Sequence, residues 1–155
     1  MDILKQLLNN YVLWSAVAGW IIAQIIKTII DLISKKQVTL KDVFFSTGGM
    51  PSSHSSTVVS LCASCAIYEG FESAAFAVAA VLAIIVMIDA RGVRYETGEQ
   101  AKILNRISRE LFSGKPELMN TGLKELVGHT PVQVFAGAVL GLVIAIGFAF
   151  LTGAF

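Results

Sequence analysis

Apolar residues in this chain fall into runs, not alternation. Tyr11–Ile33, Phe71–Ile88 and Pro131–Thr152 are each close to the roughly 20 residues that a helix needs to cross a bilayer core. A fourth run, Ser55–Tyr68, is short and opens on Ser-Ser-Thr. It is expected to dip in from a partly buried loop, since irregular backbone at membrane depth needs cover from protein or water. The stretch between the last two spans is too long for a bare turn. Within it, Thr97–Phe112 carries Ala101, Ile103, Leu104, Ile107 and Leu111 in helical rhythm between charges, which predicts an amphipathic helix at the membrane interface. Gly114 and Pro116 should end that helix, and Leu118–Val127 should form another short helical piece. The pattern predicts an all-α integral membrane bundle: four transmembrane helices plus an amphipathic helix on the cytoplasmic face, in one domain over residues 1–155.

Composition supports this reading. The chain is 55% hydrophobic and only 15% charged, with a mean hydropathy of +0.71, too apolar for a soluble domain of this size. A net charge of +1 and the lack of any basic-aromatic stripe argue against a nucleic-acid partner. The near-neutral balance conceals an asymmetry. Lys35, Lys36 and Lys41 follow the first span, and Arg91, Arg94, Lys102, Arg106, Arg109, Lys115 and Lys124 lie between the third and fourth. With four spans both basic segments share one face, which the positive-inside rule makes cytoplasmic and which places both termini outside. An acidic residue beside Met1 and no clear cleavage site predict that the first apolar run is retained.

Candidate chemistry gathers at that basic face. The only two histidines stand in turn-like motifs ahead of apolar segments: Gly48-Gly49-Met50-Pro51-Ser52-Ser53-His54 and Gly128-His129-Thr130-Pro131. Imidazole is the side chain best suited to act as nucleophile or proton donor near neutral pH. Ser52 and Ser53 open a helix whose N-terminal amides can bind an anion. Lys27 interrupts an apolar span and shares a helix face with Gln24 and Asp31. It either pairs locally with Asp31 or faces inward to meet a phosphate. Arg94, after Asp89-Ala90-Arg91, can grip phosphate bidentately, and Lys124 precedes His129 closely enough to help. Cys62 and Cys65 read as helix packing, and no metal or other cofactor is expected. Gly137 and Gly141 form a GxxxG suited to close helix packing, within the chain or in a homo-oligomer.

At STGGMPSSHSS, VMIDARGVR, GEQAKILN and LKELVGHTPVQV the chain resembles the type-2 phosphatidic acid phosphatase superfamily, and in particular its divergent branch of small membrane proteins. The resemblance covers nearly the whole chain. It implies that His129 is the nucleophile forming a phosphohistidine and that His54 is the acid protonating the leaving oxygen. Lys27, Ser52, Ser53, Arg94 and Lys124 would hold the phosphate. Ser53 stands where the superfamily has glycine, and the Arg-Pro expected after the Lys27 motif is absent. Gln133 occupies the place of the aspartate that orients the nucleophile, so Asp89 or Glu125 would have to supply the missing charge. The implied function is metal-independent hydrolysis of a lipid phosphate or diphosphate in a bacterial plasma membrane. The alternatives are a lipid-phosphate binder or transporter that keeps the pocket without catalysis, and a purely structural bundle. For the enzyme, a neutral His129 and a protonated His54 predict a bell-shaped pH–rate profile.

Overall fold

The computed structural model describes residues 2–34, 49–111 and 128–154, apart from the side chains of residues 93–95. Six helices run through them: α1 Ile3–Leu8, α2 Tyr11–Ile33, α3 Ser53–Glu69, α4 Ala74–Arg91, α5 Val93–Leu111 and α6 Pro131–Thr152. No strand occurs among the described residues. Three helical stretches are long and apolar enough to cross a membrane: Tyr11–Ile33, Ala74–Leu111 (which runs through the turn at Gly92) and Pro131–Thr152.

The fourth apolar run, expected to enter from a partly buried loop, follows the buried Pro51 and Ser52. It is an uninterrupted 17-residue helix at the centre of the bundle, with α2, α4 and α6 packed around it. Its polarity belongs to serines whose hydroxyls bond α2. Ser64 Oγ donates to Ser15 Oγ at 2.7 Å, and Ser60 Oγ donates to the Ser15 carbonyl at 2.9 Å. Ser15 Oγ lies 2.8 Å from Ser60 Oγ. With Ser64 and Ser60 already donating elsewhere, the Ser15 proton completes that last contact. One turn along the same pair of helices, Ser56 Oγ donates to the Gly19 carbonyl at 2.8 Å. Ser15→Ala should destabilise the bundle by about 1 kcal/mol, the usual scale for an interhelical hydroxyl bond in a membrane protein. A thermal melt in detergent reads the effect, and an unchanged midpoint would mean that the serine chain adds no net stability.

Small residues at every fourth position explain how the helices come this close. α2 buries Ser15, Gly19 and Ala23, while α6 buries Gly137, Gly141, Ala145 and Ala149. On α4 Ala79, Ala83 and Ala90 turn inward while Val78, Val81, Ile84, Ile85 and Ile88 face out. Small-in and large-out is what lipid-exposed helices require, because the association gains little from burying aliphatic carbon already solvated by lipid. Gly137 and Gly141 lie against the backbone of α3, at Ser52 and Ser56. They serve the close helix packing expected of a GxxxG, within the chain.

Boundaries follow local chemistry. Gly70, at φ +86°, reverses the chain after α3, and Ser73 caps α4 by accepting from Phe76 N at 3.1 Å. At this end Tyr68 OH bonds Thr152 Oγ1, and its ring lies 5.8 Å from that of Tyr11. The expected amphipathic stretch begins four residues early, at Val93, because only Gly92 separates it from α4. The helical piece expected at Leu118–Val127 lies outside the described residues.

Candidate active site

The end of the bundle opposite Gly70 gathers the chemistry. Its first part follows from the small-residue ladder of α2. Lys27 is the next fourth-position residue after Ser15, Gly19 and Ala23, so its side chain leaves the helix on the inward face and is 2% exposed. Gly49 lies over its stem: a Cβ there would come within 3.2 Å of Lys27 Cγ and 3.4 Å of Cδ. Gly49 also has φ +89°, which disfavours any other residue. The loop leading to His54 thus rests directly on the buried lysine. Asp31, one turn on, attracts the ammonium.

The loop then enters α3 through Ser52, whose hydroxyl accepts from Ser55 N at 3.3 Å. Ser52 N–H donates to the Gln133 carbonyl at 3.0 Å, joining this loop to the first turn of α6. That amide is therefore engaged away from the helix mouth, and Ser52 serves as cap and tie. Ser53 begins the helix proper, and His54 stands half-buried beside it.

His129 arrives from a different direction. Its backbone N–H donates to the Ala90 carbonyl at 3.0 Å, which pins the segment before α6 to the end of α4, next to Asp89. Thr130 caps α6 reciprocally with Gln133: Thr130 N donates to Gln133 Oε1 at 3.0 Å, and Gln133 N donates to Thr130 Oγ1 at 3.4 Å. Since Oε1 accepts from a backbone N–H, it is the carbonyl oxygen of the amide. His129 Nδ1 lies 3.3 Å from this same oxygen. An oxygen acceptor there requires Nδ1 to carry the hydrogen, so in the neutral ring Nε2 holds the lone pair. The His129 side chain is 1% exposed. The two histidine rings meet edge-on, with centroids 5.8 Å apart and planes at 63°.

Of the residues singled out in the sequence, His54, His129, Gln133, Ser52 and Ser53 are thus brought together, with Lys27 beneath the same loop. Asp89 adjoins the carbonyl that holds His129. Arg94 falls in the first turn of α5, but its side chain is not among those described. Lys124 and Glu125 lie outside the described residues. Sequence reasoning missed the roles of Gly49 as the cover over Lys27 and of the Ala90 carbonyl as the dock for His129. The first had a signal in the fourth-position ladder ending at Lys27; the second, a backbone contact to an alanine, had none. Among the described residues no three His, Cys, Asp or Glu side chains assemble as a metal-binding set.

Known proteins resemble the chain along most of its length. The model of the Divergent PAP2 family matches residues 8–144, which include both histidine motifs and Lys27. The uncharacterized membrane protein YuiD of Bacillus subtilis (strain 168) is 37% identical over 155 residues, spanning 94% of this chain and 98% of that relative. No solved structure matches the chain significantly. Integral to the membrane by its apolar helices and similar to YuiD along nearly its whole length, the chain belongs to the Divergent PAP2 family.

Proposed function

We propose that this protein is a metal-independent phosphatase acting on a lipid phosphate or diphosphate through a phosphohistidine. The observation that carries the proposal is the meeting of the only two imidazoles, 5.8 Å apart, with Gln133 fixing the tautomer of one of them. His129 Nε2 attacks phosphorus and the bond to the leaving oxygen breaks, while His54 gives that oxygen its proton. Water then attacks the phosphohistidine, His54 takes the proton from the water, and orthophosphate leaves with His129 restored. Lys27, the α3 N-terminus at Ser53, and Arg94 and Lys124 supply positive charge to the phosphoryl oxygens. Positioning and electrostatic stabilisation do most of the work in such a transfer.

The placement in the membrane belongs to the same proposal. We take α3 as a fourth span sheltered by α2, α4 and α6, and α5 as a helix lying at the interface. The site then opens on the cytoplasmic side, where the ten bases of the two connecting segments, three plus seven, are concentrated. Purified protein in detergent should release phosphate from at least one of phosphatidate, phosphatidylglycerophosphate or a prenyl diphosphate without added magnesium. Acid-labile phosphate should be trapped on His129. No release from any of the three, with no trapped phosphohistidine, would overturn the proposal.

One observation favours a second reading, a non-catalytic lipid-phosphate binder. His129 is oriented by an amide oxygen already shared with Thr130 N, and an amide offers no full negative charge to a forming imidazolium. Gln133→Glu is nearly isosteric, retains the reciprocal cap and places a carboxylate on Nδ1. If the protein is an enzyme slowed by its amide, this substitution should raise kcat by about tenfold or more. If it is a binder, phosphate affinity changes while turnover stays absent.

A further inference from the structure

We propose that α5 carries a second anion site, separate from the histidine pair, which takes the headgroups of acidic phospholipids. The proposal rests on the interfacial placement of α5 given above but not on catalysis. The helix has three distinct sides. Gly98 and Ala101 are buried on one. A second side, spanning roughly 100° of arc at helical spacing, presents Ile103, Leu104, Ile107 and Leu111 at 45–72% exposure. That is a large apolar surface to leave in water but an ordinary one to lay into the acyl boundary of a bilayer.

Between these two sides runs the third. Lys102, Arg106 and Arg109 fall within roughly 60° of arc and line a cleft of about 380 Å³ together with Glu99 and Ile103. Glu99 is paired with Lys102 at 2.6 Å, so the cleft lining carries a net excess of two cations, three bases against one acid; Glu110, exposed between Arg106 and the apolar strip, lowers the excess on the whole side to one. Arg106 and Arg109 are exposed. A basic ridge bordering an apolar strip is the arrangement that meets a phosphodiester anion and the acyl chains below it together. A soluble phosphate would use the ridge and leave the strip in water. The chemistry therefore points to an acidic phospholipid in the bilayer.

The test uses full-length protein carrying His129→Ala, so that turnover cannot consume or obscure the ligand and failure here is distinct from failure of the phosphatase reading. Native mass spectrometry from detergent would compare retention of phosphatidylglycerol, phosphatidylcholine and inorganic phosphate. Phosphatidylglycerol should be retained preferentially, and less so as salt rises. Arg106→Gln with Arg109→Gln should weaken that retention roughly thirtyfold, at about fivefold per cation near an acidic surface. Arg106→Lys with Arg109→Lys should largely keep it. Equal retention of the two lipids would overturn the proposal, as would inorganic phosphate whose retention falls as much as the lipid's when Arg106 and Arg109 become glutamine. If the glutamine variant fails to fold, salt-independent retention by the parent protein serves as the overturning result.

Discussion

His129→Ala is expected to reduce phosphate release by roughly 10⁴-fold or more, since no other group can take over as nucleophile. The substitution is clean because the contacts that place residue 129 are made by backbone. Its N–H still reaches the Ala90 carbonyl, and Gln133 Oε1 still accepts from Thr130 N. The α6 cap and the tie between α4 and α6 therefore survive, and a thermal melt should show a fold close to that of the parent. His54→Ala should act differently. It removes the leaving-group proton and should lower the rate by roughly 10²–10⁴-fold. A substrate whose leaving oxygen needs no proton, such as a nitrophenyl ester, should recover much of that loss. Phosphate binding should persist in both variants through Lys27 and the start of α3. Phosphohistidine formed in His129→Ala, or release within tenfold of the parent, would refute the assigned roles.

Tyr11–Ile33 and Pro131–Thr152 are found with the boundaries their runs suggest, because Asn10 and Thr130 cap them and the apolar stretches end where the helices do. Phe71–Ile88 is displaced to Ala74–Arg91. Hydropathy counts Phe71 as part of a span, whereas Ser73 sets the true start, and no breaker occurs before Gly92. Ser55–Tyr68 extends to Ser53–Glu69, and its central place was hidden because a hydropathy reading treats a serine hydroxyl as a cost whether or not it is bonded. With Ser56, Ser60 and Ser64 all satisfied by α2, the least apolar run becomes the helix on which the others pack.

The site was legible by residue type and by topology, but not by contact. Counting four spans predicted that the two histidines would share one end of the bundle, where their rings do meet. Nothing in a separation of 75 positions, from 54 to 129, gave their distance. That distance is set by two backbone bonds, Ser52 N–H to the Gln133 carbonyl and His129 N–H to the Ala90 carbonyl. Neither depends on a side chain, so neither leaves a residue signature. Lys27 is the contrasting case. Its inward direction follows from Ser15, Gly19 and Ala23 alone, once small residues rather than large ones are taken to mark the packed face.

The same principle gives the largest expected effect on stability. A Cβ on Gly141 would overlap the Ser56 carbonyl oxygen and reach Ser60 N at 3.0 Å. A Cβ on Gly137 would overlap the Ser52 carbonyl oxygen and lie 3.0 Å from Ser55 Cβ. These neighbours are mainly backbone and cannot rotate away, so α3 and α6 must separate along their whole contact. Gly141→Ala should therefore destabilise the bundle by about 2–4 kcal/mol despite alanine's better helix propensity. Gly147 provides the control on the same helix: nothing lies within 4 Å of its would-be Cβ. There alanine should be neutral or stabilising by up to about 1 kcal/mol. Gly137→Ala should differ from Gly141→Ala in kind. The residue it displaces, Ser52, is two positions from His54 and bonded to the Gln133 backbone. Separating α3 from α6 there moves one imidazole away from the other, so activity should fall well below what the melting temperature explains. If Gly137→Ala and Gly141→Ala lose stability and activity in the same proportion, the contact holds the bundle together without setting the distance between the rings.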